Sequence, residues 1–361
     1  MKVKVLQIIA VAGFGLAVLA YGQSAPPAAS APAAPAHAGA SPQKQPPLQL
    51  STMGHPPAPK PISFPPPDPK NFTATSPTVK TVNTFLHQLW GYDPNRTWQV
   101  EGIQKTDAPG VVRVTIFVGE KGTSSQAGQT VFFVTPDGQH AVAGGQVISF
   151  GADPFASVRA KLEAGATGPY RGASSKNLML VEFSDLQCPH CKEGQATMDH
   201  LAKDFPNARI VYANFPLAQI HPEAEKAAEY GVCVAQLKGN DAFFKYMEAV
   251  FDTQANLTPT GADQALKDAA TKAGADAAAM KKCVAAPSTK AAVAASVQLG
   301  ESIEVNQTPM LFINGRPVPL NAVPYDTLKQ LVSFAAGQSG KQTLASATSS
   351  AAQGKSATQK P

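Results

Sequence analysis

The sequence predicts an α/β domain with an inserted helical block, preceded by a small α+β domain in which a helix packs on an antiparallel sheet. Strand and helix patterns carry this prediction. Residues 76–150 read as one helix followed by a run of strands. From residue 178 the order is β-α-β, a helical block, then β-β-α. A length of 361 residues agrees with two domains.

The N-terminus has the pattern of a signal peptide. A basic Met1–Lys4 precedes an apolar run, Val5–Ala20, that ends in small residues suited to cleavage, so residues 1–22 are predicted to be removed. The alternative is an uncleaved anchor helix, for which a run of about 16 residues is short. Either way the remainder is expected in the periplasm or another extracytoplasmic compartment, where disulfides persist.

Two segments are predicted to be disordered. Between Ser24 and Lys70 lie 15 of the 32 prolines with few charges, and such a stretch buries too little apolar surface to offset its chain entropy. Residues 23–75 therefore form an extended linker in this prediction. The polar, small-residue tail over 339–361 is expected to be disordered for the same reason.

The first domain is assigned to residues 76–164. Ser76 followed by Pro77 predicts the start of a helix, which presents one apolar face. That face is formed by Val79, Val82, Leu86 and Leu89. Strand-like runs follow at 98–104, 111–118 and 130–135, with 141–150 as the return strand after a turn. A second helix after Asp153-Pro154 leads to a predicted loop over 165–176 at the domain joint.

The second domain is assigned to residues 165–338. It opens with an apolar run, Leu178–Phe183, that is typical of a strand buried on both faces. A helix beginning at the cysteine pair follows, and residues 210–214 form the second buried strand. The segment from about residue 221 to 303 is predicted to be helical almost throughout. The domain closes with a hairpin around Asn314-Gly315 and a helix over about 325–336.

The chemistry of the chain centres on Cys188 and Cys191, which form a C-x-x-C at the start of a helix. The unpaired N–H groups of a helix N-terminus favour the thiolate of Cys188, and His190 adds a cationic influence when protonated. Such surroundings lower a cysteine pKa from about 8.5 to roughly 3.5–7.5. Cys191, one turn further in, suits the resolving role.

Two other interpretations of the C-x-x-C compete. A structural zinc site needs four ligands, and Cys233 and Cys283 are 50 residues apart without a second C-x-x-C. The other interpretation is an inert structural disulfide between Cys188 and Cys191. No metal is predicted. Nucleic acid is not an expected partner either, because the net charge of +5 is diffuse and no basic run carries interleaved aromatics.

Three motifs together resemble the DsbA-like thioredoxin-fold family over residues 170–338. They are Val181-Glu182-Phe183, Cys188-Pro189-His190-Cys191 and Asn306-Gln307-Thr308-Pro309. The resemblance implies a thioredoxin-like fold whose inserted helices are the block over 221–303. It also implies a cis Thr308–Pro309 peptide beside the active site, where Thr308 pairs with an extended substrate. An ordinary trans X-Pro bond is the alternative.

Glu182 occupies the position of the buried carboxylate that thioredoxin-like proteins carry below the active site. A desolvated carboxyl there has a raised pKa and can relay the proton of Cys191. The alternative is a strand carboxylate that reaches solvent or a lysine. His221 precedes Pro222 at a helix start and is interpreted first as a capping residue.

Cys233 and Cys283 lie in the helical block. Two cysteines in one small subdomain of an oxidising compartment are expected to pair, and the family resemblance, which includes a cysteine pair in this block, supports a structural disulfide. Free buried cysteines are the alternative.

The first domain resembles, by its order of elements, the dimerisation domain of the DsbC and DsbG disulfide isomerases. The shared features are the helix-plus-sheet order, the hairpin at Val134–Gly138 and a linker helix before the thioredoxin fold. A domain this small has little core of its own and edge strands to cover, which predicts a homodimer formed through residues 76–164. The alternative is a monomer in which this domain packs on its own thioredoxin fold. The dipeptide Pro189-His190 is instead similar to that of the oxidase.

These observations predict a periplasmic thiol-disulfide oxidoreductase, an oxidase or an isomerase, that exchanges disulfides with secreted protein clients. Its expected partners are protein thiols and a membrane or periplasmic redox partner, and no cofactor is implied. The alternative is a secreted binding or chaperone-like module in which the C-x-x-C is only a structural disulfide.

Overall fold

A computed structural model describes residues 63–122 and 128–339, which lie in one compact unit of the chain. The predicted signal peptide, most of the linker and the tail from residue 340 fall outside the described residues. Within the described part, no helix is both long and apolar enough to cross a membrane.

The first part of the fold is one long helix on a five-stranded antiparallel sheet. The elements are α1 (Val79–Trp90), β1 (Arg96–Lys105), β2 (Val112–Glu120), β3 (Gly128–Val134), β4 (His140–Ala143) and β5 (Gln146–Ser149), with the strands in sequential order. The core forms where α1 covers the sheet. The ring of Phe85 lies 4.8 Å from that of Phe150 and 5.9 Å from that of Phe132. Burial of these rings fixes α1 to the sheet.

The helix α1 begins later than predicted. Its N-cap is Thr78, whose hydroxyl accepts a hydrogen bond from the Thr81 N–H at 3.1 Å, so Ser76 is not the cap. The Ser76–Pro77 peptide is cis and precedes the helix. The predicted face is also rotated: Val79 is 41% exposed, whereas Phe85 is buried. Ser76 and Thr78, two hydroxyl residues that can both cap a helix, lie on either side of Pro77, and only the fold selects the one that caps.

The predicted return strand over 141–150 is in fact two strands. Gly144 and Gly145 both have positive φ, at 58° and 80°, and turn the chain into a two-residue hairpin between β4 and β5. Only residues without a Cβ adopt this pair of angles easily. The sequence prediction treated the two glycines as part of a strand and was wrong.

The end of the predicted linker belongs to the first sheet. Phe72 forms a bridge with Ile103 of β1, and the Ala74 N–H donates to the Ile103 carbonyl oxygen at 3.0 Å. The side chains of Phe72 and Ala74 pack on the same core as α1. The prediction of disorder up to residue 75 is therefore wrong for this end, because these apolar residues cover the edge of β1.

The second part is an α/β layer around a five-stranded mixed sheet. Helix α2 (Ala156–Gly165) leads into β6 (Tyr170–Gly172), β7 (Met179–Ser184), α3 (Pro189–Asp204), β8 (Arg209–Asn214), β9 (Met310–Ile313) and β10 (Arg316–Pro319), with a last helix, α9, over 325–339. The strand order is β10-β9-β7-β8-β6, and only β7 and β8 are parallel. This is the predicted thioredoxin-like arrangement.

Strand β6 lies inside the predicted loop over 165–176. It pairs antiparallel with β8, and the pairing covers only Tyr170 to Gly172. Three residues are too few to show an alternating pattern in the sequence, so the strand was missed. Gly172 has φ of 84° and its missing side chain leaves room for the Ala208 carbonyl oxygen.

The helical insertion lies between β8 and β9. It consists of α4 (Ala224–Lys238), α5 (Asn240–Asp252), α6 (Ala262–Lys272), α7 (Ala277–Val284) and α8 (Pro287–Ser302). In the structure a disulfide joins Cys233 of α4 to Cys283 of α7, with the two Cα atoms 5.8 Å apart. Cys233 is fully buried in the insertion's core, which extends to the active-site cysteines.

Arg316 connects the two parts of the fold. Its guanidinium donates to the carbonyl oxygens of Gln88 and Leu89, near the C-terminus of α1, and stacks over the ring of Phe155 at 4.4 Å. The free carbonyls at a helix C-terminus favour a cation. Burial lowers the pKa of Arg316 to about 10, which leaves the side chain charged at neutral pH.

We expect Cys233→Ala to lower the free energy of unfolding by about 2–5 kcal/mol, because the covalent loop that restricts the unfolded chain is lost. Denaturant unfolding of the oxidised protein measures this change. Cys283→Ala should cause a similar loss, and the double variant no more than either one. A double variant that loses the sum of the two would contradict the pairing.

Candidate active site

The cysteine pair lies where β7 ends and α3 begins. Cys188 is the N-cap residue of α3 with extended backbone angles, and Pro189 occupies the first helical position, where its missing N–H costs nothing. Cys191 follows within the first turn. Cys188 retains 4% exposure and Cys191 none, so only the first cysteine can meet a partner molecule without rearrangement.

The Cys188 thiol is strongly acidified. Its pKa is lowered to about 5, first by a hydrogen bond from the Cys191 thiol, then by the Thr308 side chain and by the backbone N–H groups of Cys191 and His190. Partial burial opposes these effects. At neutral pH Cys188 is therefore a thiolate, the form that attacks disulfides.

The Cys191 thiol has the opposite character. Burial raises its pKa well above the usual range, and its hydrogen bond to Cys188 raises it further. The backbone N–H of Asp185 lies 3.3 Å from Cys191 Sγ and is the contact that ties this sulfur to the end of β7. The two sulfurs thus form an asymmetric pair, with one thiolate and one protonated thiol.

His190 acts on this pair mainly through its backbone. Its imidazole is 69% exposed, and Nδ1 lies 3.1 Å from the Glu193 carboxylate. That carboxylate, and to a smaller extent the Cys188 thiolate, raise the pKa of His190. The sequence analysis assigned the tuning of Cys188 to the N–H groups of the helix N-terminus, with the imidazole as a second influence; of His190, it is the backbone N–H that contributes to lowering the pKa of Cys188.

Glu182 lies in the middle of β7 and is only 3% exposed. Its Oε1 accepts a hydrogen bond from Gln195 Nε2 at 2.9 Å, so its hydrogen-bond partner is an amide of α3 rather than a lysine. Burial raises the pKa of Glu182 to about 7. Gln195 Nε2 also donates to the Cys191 carbonyl oxygen at 3.2 Å, which links the carboxyl to the first turn of α3.

The loop that carries Thr308 and Pro309 faces the cysteines. The Thr308–Pro309 peptide is cis, and the Thr308 carbonyl oxygen lies 3.8 Å from Cys188 Sγ. The structure therefore brings Cys188, Cys191 and Thr308 together at one end of the sheet. Cys233 and Cys283 lie apart from this site, in the insertion.

Residues of the insertion also hold the active-site loop, and sequence reasoning missed them. Gln254 Nε2 donates to the carbonyl oxygens of Leu186 and Cys188 at 3.1 and 3.0 Å. Beyond the insertion, the Asn321 amide donates to the His190 carbonyl oxygen at 2.8 Å. These residues are 66 to 131 positions away in the sequence, and no local pattern marks them.

His221 was interpreted as a possible helix cap, and the structure gives it a different partner. Its Nδ1 lies 2.8 Å from the Asp185 carboxylate, whose side chain is fully buried. That carboxylate also accepts hydrogen bonds from the backbone N–H groups of Gln187 and Leu217. Asp185 thus ties the loop before Cys188 to the segment that enters the insertion.

The family profile described as Thioredoxin matches residues 165–333 of this chain. This stretch holds the mixed sheet, the cysteine pair and the helical insertion, so the match assigns a thioredoxin domain to this part of the chain. The match confirms the thioredoxin-fold part of the recognition and of the fold class predicted from the sequence.

Curated relatives are similar over part of their length. The Na(+)/H(+) antiporter NhaA 1 of Salinispora arenicola is 30% identical over 147 residues, which cover 40% of this chain and 21% of that protein. NhaA 1 of Mycolicibacterium gilvum is 28% identical over 171 residues, covering 46% and 26%. The chain thus spans only about a fifth to a quarter of the length of these two relatives.

Solved structures with similar folds cover about half of this chain. ScsC of Proteus mirabilis in a transitional conformation is 21% identical with a TM-score of 0.42, covering 50% of this chain and 81% of that one. Oxidised BdbD of Bacillus subtilis is 20% identical with a TM-score of 0.42, covering 47% and 93%. The thiol-disulfide exchange protein alpha-DsbA2 of Wolbachia pipientis is 20% identical with a TM-score of 0.43, covering 50% and 96%.

The raised pKa of Glu182 predicts a pH-dependent stability. The native carboxyl holds its proton up to about pH 7, whereas an unfolded carboxyl releases it near 4.5, so the parent loses stability as the pH rises between these values. The Glu182→Gln variant has no carboxyl to titrate at this position, so its stability does not fall in this way. In the dithiol form, we expect its free energy of unfolding relative to the parent to increase by on the order of 3 kcal/mol from pH 4.5 to 8.

Denaturant unfolding at several pH values measures this difference. Glu248→Gln, at an exposed position of α5, serves as the control and should leave the pH dependence of the parent unchanged. A difference between Glu182→Gln and the parent that is constant across the range would contradict the assignment of a raised pKa to Glu182.

Proposed function

We propose that this chain is an extracytoplasmic thiol-disulfide oxidoreductase that exchanges disulfides with protein clients through Cys188 and Cys191. The asymmetry of the pair carries the proposal: a stabilised thiolate lies at the helix N-terminus, beside a buried protonated thiol. A cysteine pair that forms only a structural disulfide needs no such difference in acidity between its two thiols. The cis Thr308–Pro309 loop beside Cys188 supports a substrate-binding role for these two residues.

The exchange runs through a mixed disulfide. When the pair is oxidised, a client thiolate attacks Cys188 Sγ, the Cys188–Cys191 bond breaks, and Cys191 leaves and takes up a proton. A second client thiolate then attacks the client sulfur, and Cys188 leaves as the stabilised thiolate. The client gains a disulfide and the pair becomes a dithiol, which a redox partner must reoxidise.

The direction of the exchange follows from the stability of the thiolate. A low pKa stabilises the reduced pair, which makes the disulfide a stronger oxidant. The low pKa of Cys188 therefore favours an oxidase over a reductase. An isomerase agrees with the same pKa if two active sites face one client protein. A measured reduction potential against glutathione assigns the direction.

The proposed compartment is the periplasm or another extracytoplasmic space. Support comes from the basic and apolar N-terminus, which has the order of a signal peptide. The disulfide between Cys233 and Cys283 agrees with it, because such bridges persist in oxidising compartments.

We expect Cys191→Ala to accumulate mixed disulfides between Cys188 and client proteins, because the thiol that resolves them is gone. Non-reducing electrophoresis of extracts, followed by mass spectrometry of the trapped partners, measures this. Cys188→Ala is the matched control and should trap far fewer. Equal trapping by the two variants would reverse or remove the roles assigned to the cysteines, and no trapping by either would favour a structural disulfide in a binding module.

We also propose that residues 76–164 form a homodimer interface. On the outer face of the first sheet, Phe133 pairs with Val142, which pairs with Val147, so three apolar side chains lie in one row across β3, β4 and β5. Phe133 and Val147 are 39% and 66% exposed. The row ends at β5, which is an edge strand. Pairing with a second copy would cover both the apolar row and the free edge of β5.

We expect Val147→Asp to convert a dimer into a monomer, because it places a charge in the apolar row. Light scattering at micromolar concentration gives the mass. Ile220→Asp is the control, since Ile220 is 70% exposed in the other part of the fold and should leave the dimer intact. A monomeric mass for the parent protein would exclude this dimer and the isomerase that depends on it.

A further inference from the structure

A closed polar cluster lies beneath Cys191. Glu182 and Ser184 are two residues apart on β7 and therefore project to the same face of the sheet, and Tyr212 is the direct partner of Glu182 on β8. Glu182, Ser184 and Tyr212 are 3%, 1% and 2% exposed. Three polar side chains are thus enclosed next to a buried thiol, in a sheet whose other buried residues are mostly apolar.

Two hydroxyls in this cluster are unusual. Ser184 Oγ and Tyr212 OH are both buried, and neither has a hydrogen-bond partner of regular geometry among the residues that the structure describes. A buried hydroxyl without a partner destabilises the folded state, because it has lost its hydrogen bonds to water and gained none in the protein. Such groups are rare in native proteins and call for an explanation. In a site for thiol-disulfide exchange, a role in proton transfer is one such explanation.

Ser184 neighbours both Glu182 and Cys191 at the end of β7. The N–H of the next residue, Asp185, contacts Cys191 Sγ at 3.3 Å, so the sulfur lies over the end of β7 beside Ser184. The Ser184 side chain lowers the pKa of both Cys191 and Glu182, which requires it to be near both. The serine side chain also lowers the pKa of Tyr212, and its hydroxyl can turn from one of these neighbours to another.

We propose that the Ser184 hydroxyl relays the proton between Cys191 Sγ and the Glu182 carboxylate. The inference rests on the proposed function and adds a catalytic residue to it. A hydroxyl suits the task because it accepts and donates a hydrogen bond at the same time. Gln195 Nε2 donates a hydrogen bond to Oε1 of Glu182 and orients the carboxyl. The other carboxylate oxygen is therefore the one that we assign to accept the relayed proton.

The relay operates when Cys191 resolves a mixed disulfide on Cys188. Cys191 Sγ gives its proton to Ser184 Oγ while the serine passes its own hydroxyl proton to the Glu182 carboxylate. The Cys191 thiolate then attacks Cys188 Sγ, a Cys188–Cys191 bond forms, and the bound thiol leaves as a thiolate. Glu182 gains one proton, Ser184 is unchanged, and the electron pair of the broken bond goes to the leaving sulfur.

A single-turnover experiment on the dithiol protein separates the two steps. Reaction with 5,5′-dithiobis(2-nitrobenzoate) first releases one thionitrobenzoate as Cys188 attacks, and then a second as Cys191 resolves the mixed disulfide. In Ser184→Ala we expect the first step to stay within twofold of the parent. The second should slow by roughly tenfold or more at pH 7, in keeping with the loss of a proton-transfer group. The difference in the rate of the second step between Ser184→Ala and the parent should become smaller as the pH rises, because hydroxide then takes the proton directly.

A double-mutant cycle tests whether serine and glutamate act in one path. Glu182→Gln should slow the second step, and adding Ser184→Ala to it should slow that step no further. Tyr212→Phe is the matched control, because it removes the neighbouring buried hydroxyl that is not on the proposed path, and it should leave the second step within twofold. Loss of rate in Tyr212→Phe but not in Ser184→Ala would overturn the proposal in favour of the tyrosine.

The outcomes for the relay and for the proposed function are distinct. If the parent itself forms no mixed disulfide, or forms one and never resolves it, the oxidoreductase function fails. If the parent completes both steps and Ser184→Ala resolves as fast at every pH, only the relay is wrong. Ser184→Ala should fold like the parent, since it removes a single oxygen atom and adds no bulk to the buried cluster, and unfolding curves check this.

Discussion

The interaction between the Cys191 thiol and the Cys188 sulfur is the one on which the site depends, because it lowers the pKa of Cys188 and raises that of Cys191. It forms because β7 ends in a turn that delivers both sulfurs to the first turn of α3. The N–H of Asp185 fixes the buried sulfur from the strand side. A shift of either element would separate the two sulfurs and remove the difference in their acidity.

The helical insertion supports this geometry from outside the sheet. Gln254 holds the carbonyl of Cys188, and Gln187 of the active-site loop donates to the Leu257 carbonyl oxygen at 2.9 Å and accepts from the Glu223 N–H at 2.7 Å. The hydrophobic core of the insertion is continuous with both active-site cysteines. The insertion therefore stabilises the loop that presents the nucleophile, and its own disulfide, between α4 and α7, keeps two of its helices together.

Much of the fold and part of the site could be predicted from local patterns. The buried strand β7, the hairpin at Asn314-Gly315 and the cysteine pair at a helix start are all contiguous in sequence, and periodicity or spacing reports them directly. Elements shaped by neighbours were predicted poorly. Three-residue β6 exists only because β8 lies beside it, and the end of the linker is ordered only because β1 offers it an edge.

The sequence by itself determined the chemistry available to this protein: two cysteines three positions apart at a helix N-terminus, with a carboxylate on the preceding strand. Tertiary structure decided how that chemistry is tuned. It turned the His190 imidazole toward Glu193, enclosed Glu182 with Ser184 and Tyr212, and brought Gln254 to the Cys188 carbonyl. Acidity depends on burial and on contacts within a few ångströms, and both are set by residues distant in the sequence that meet only when the chain folds.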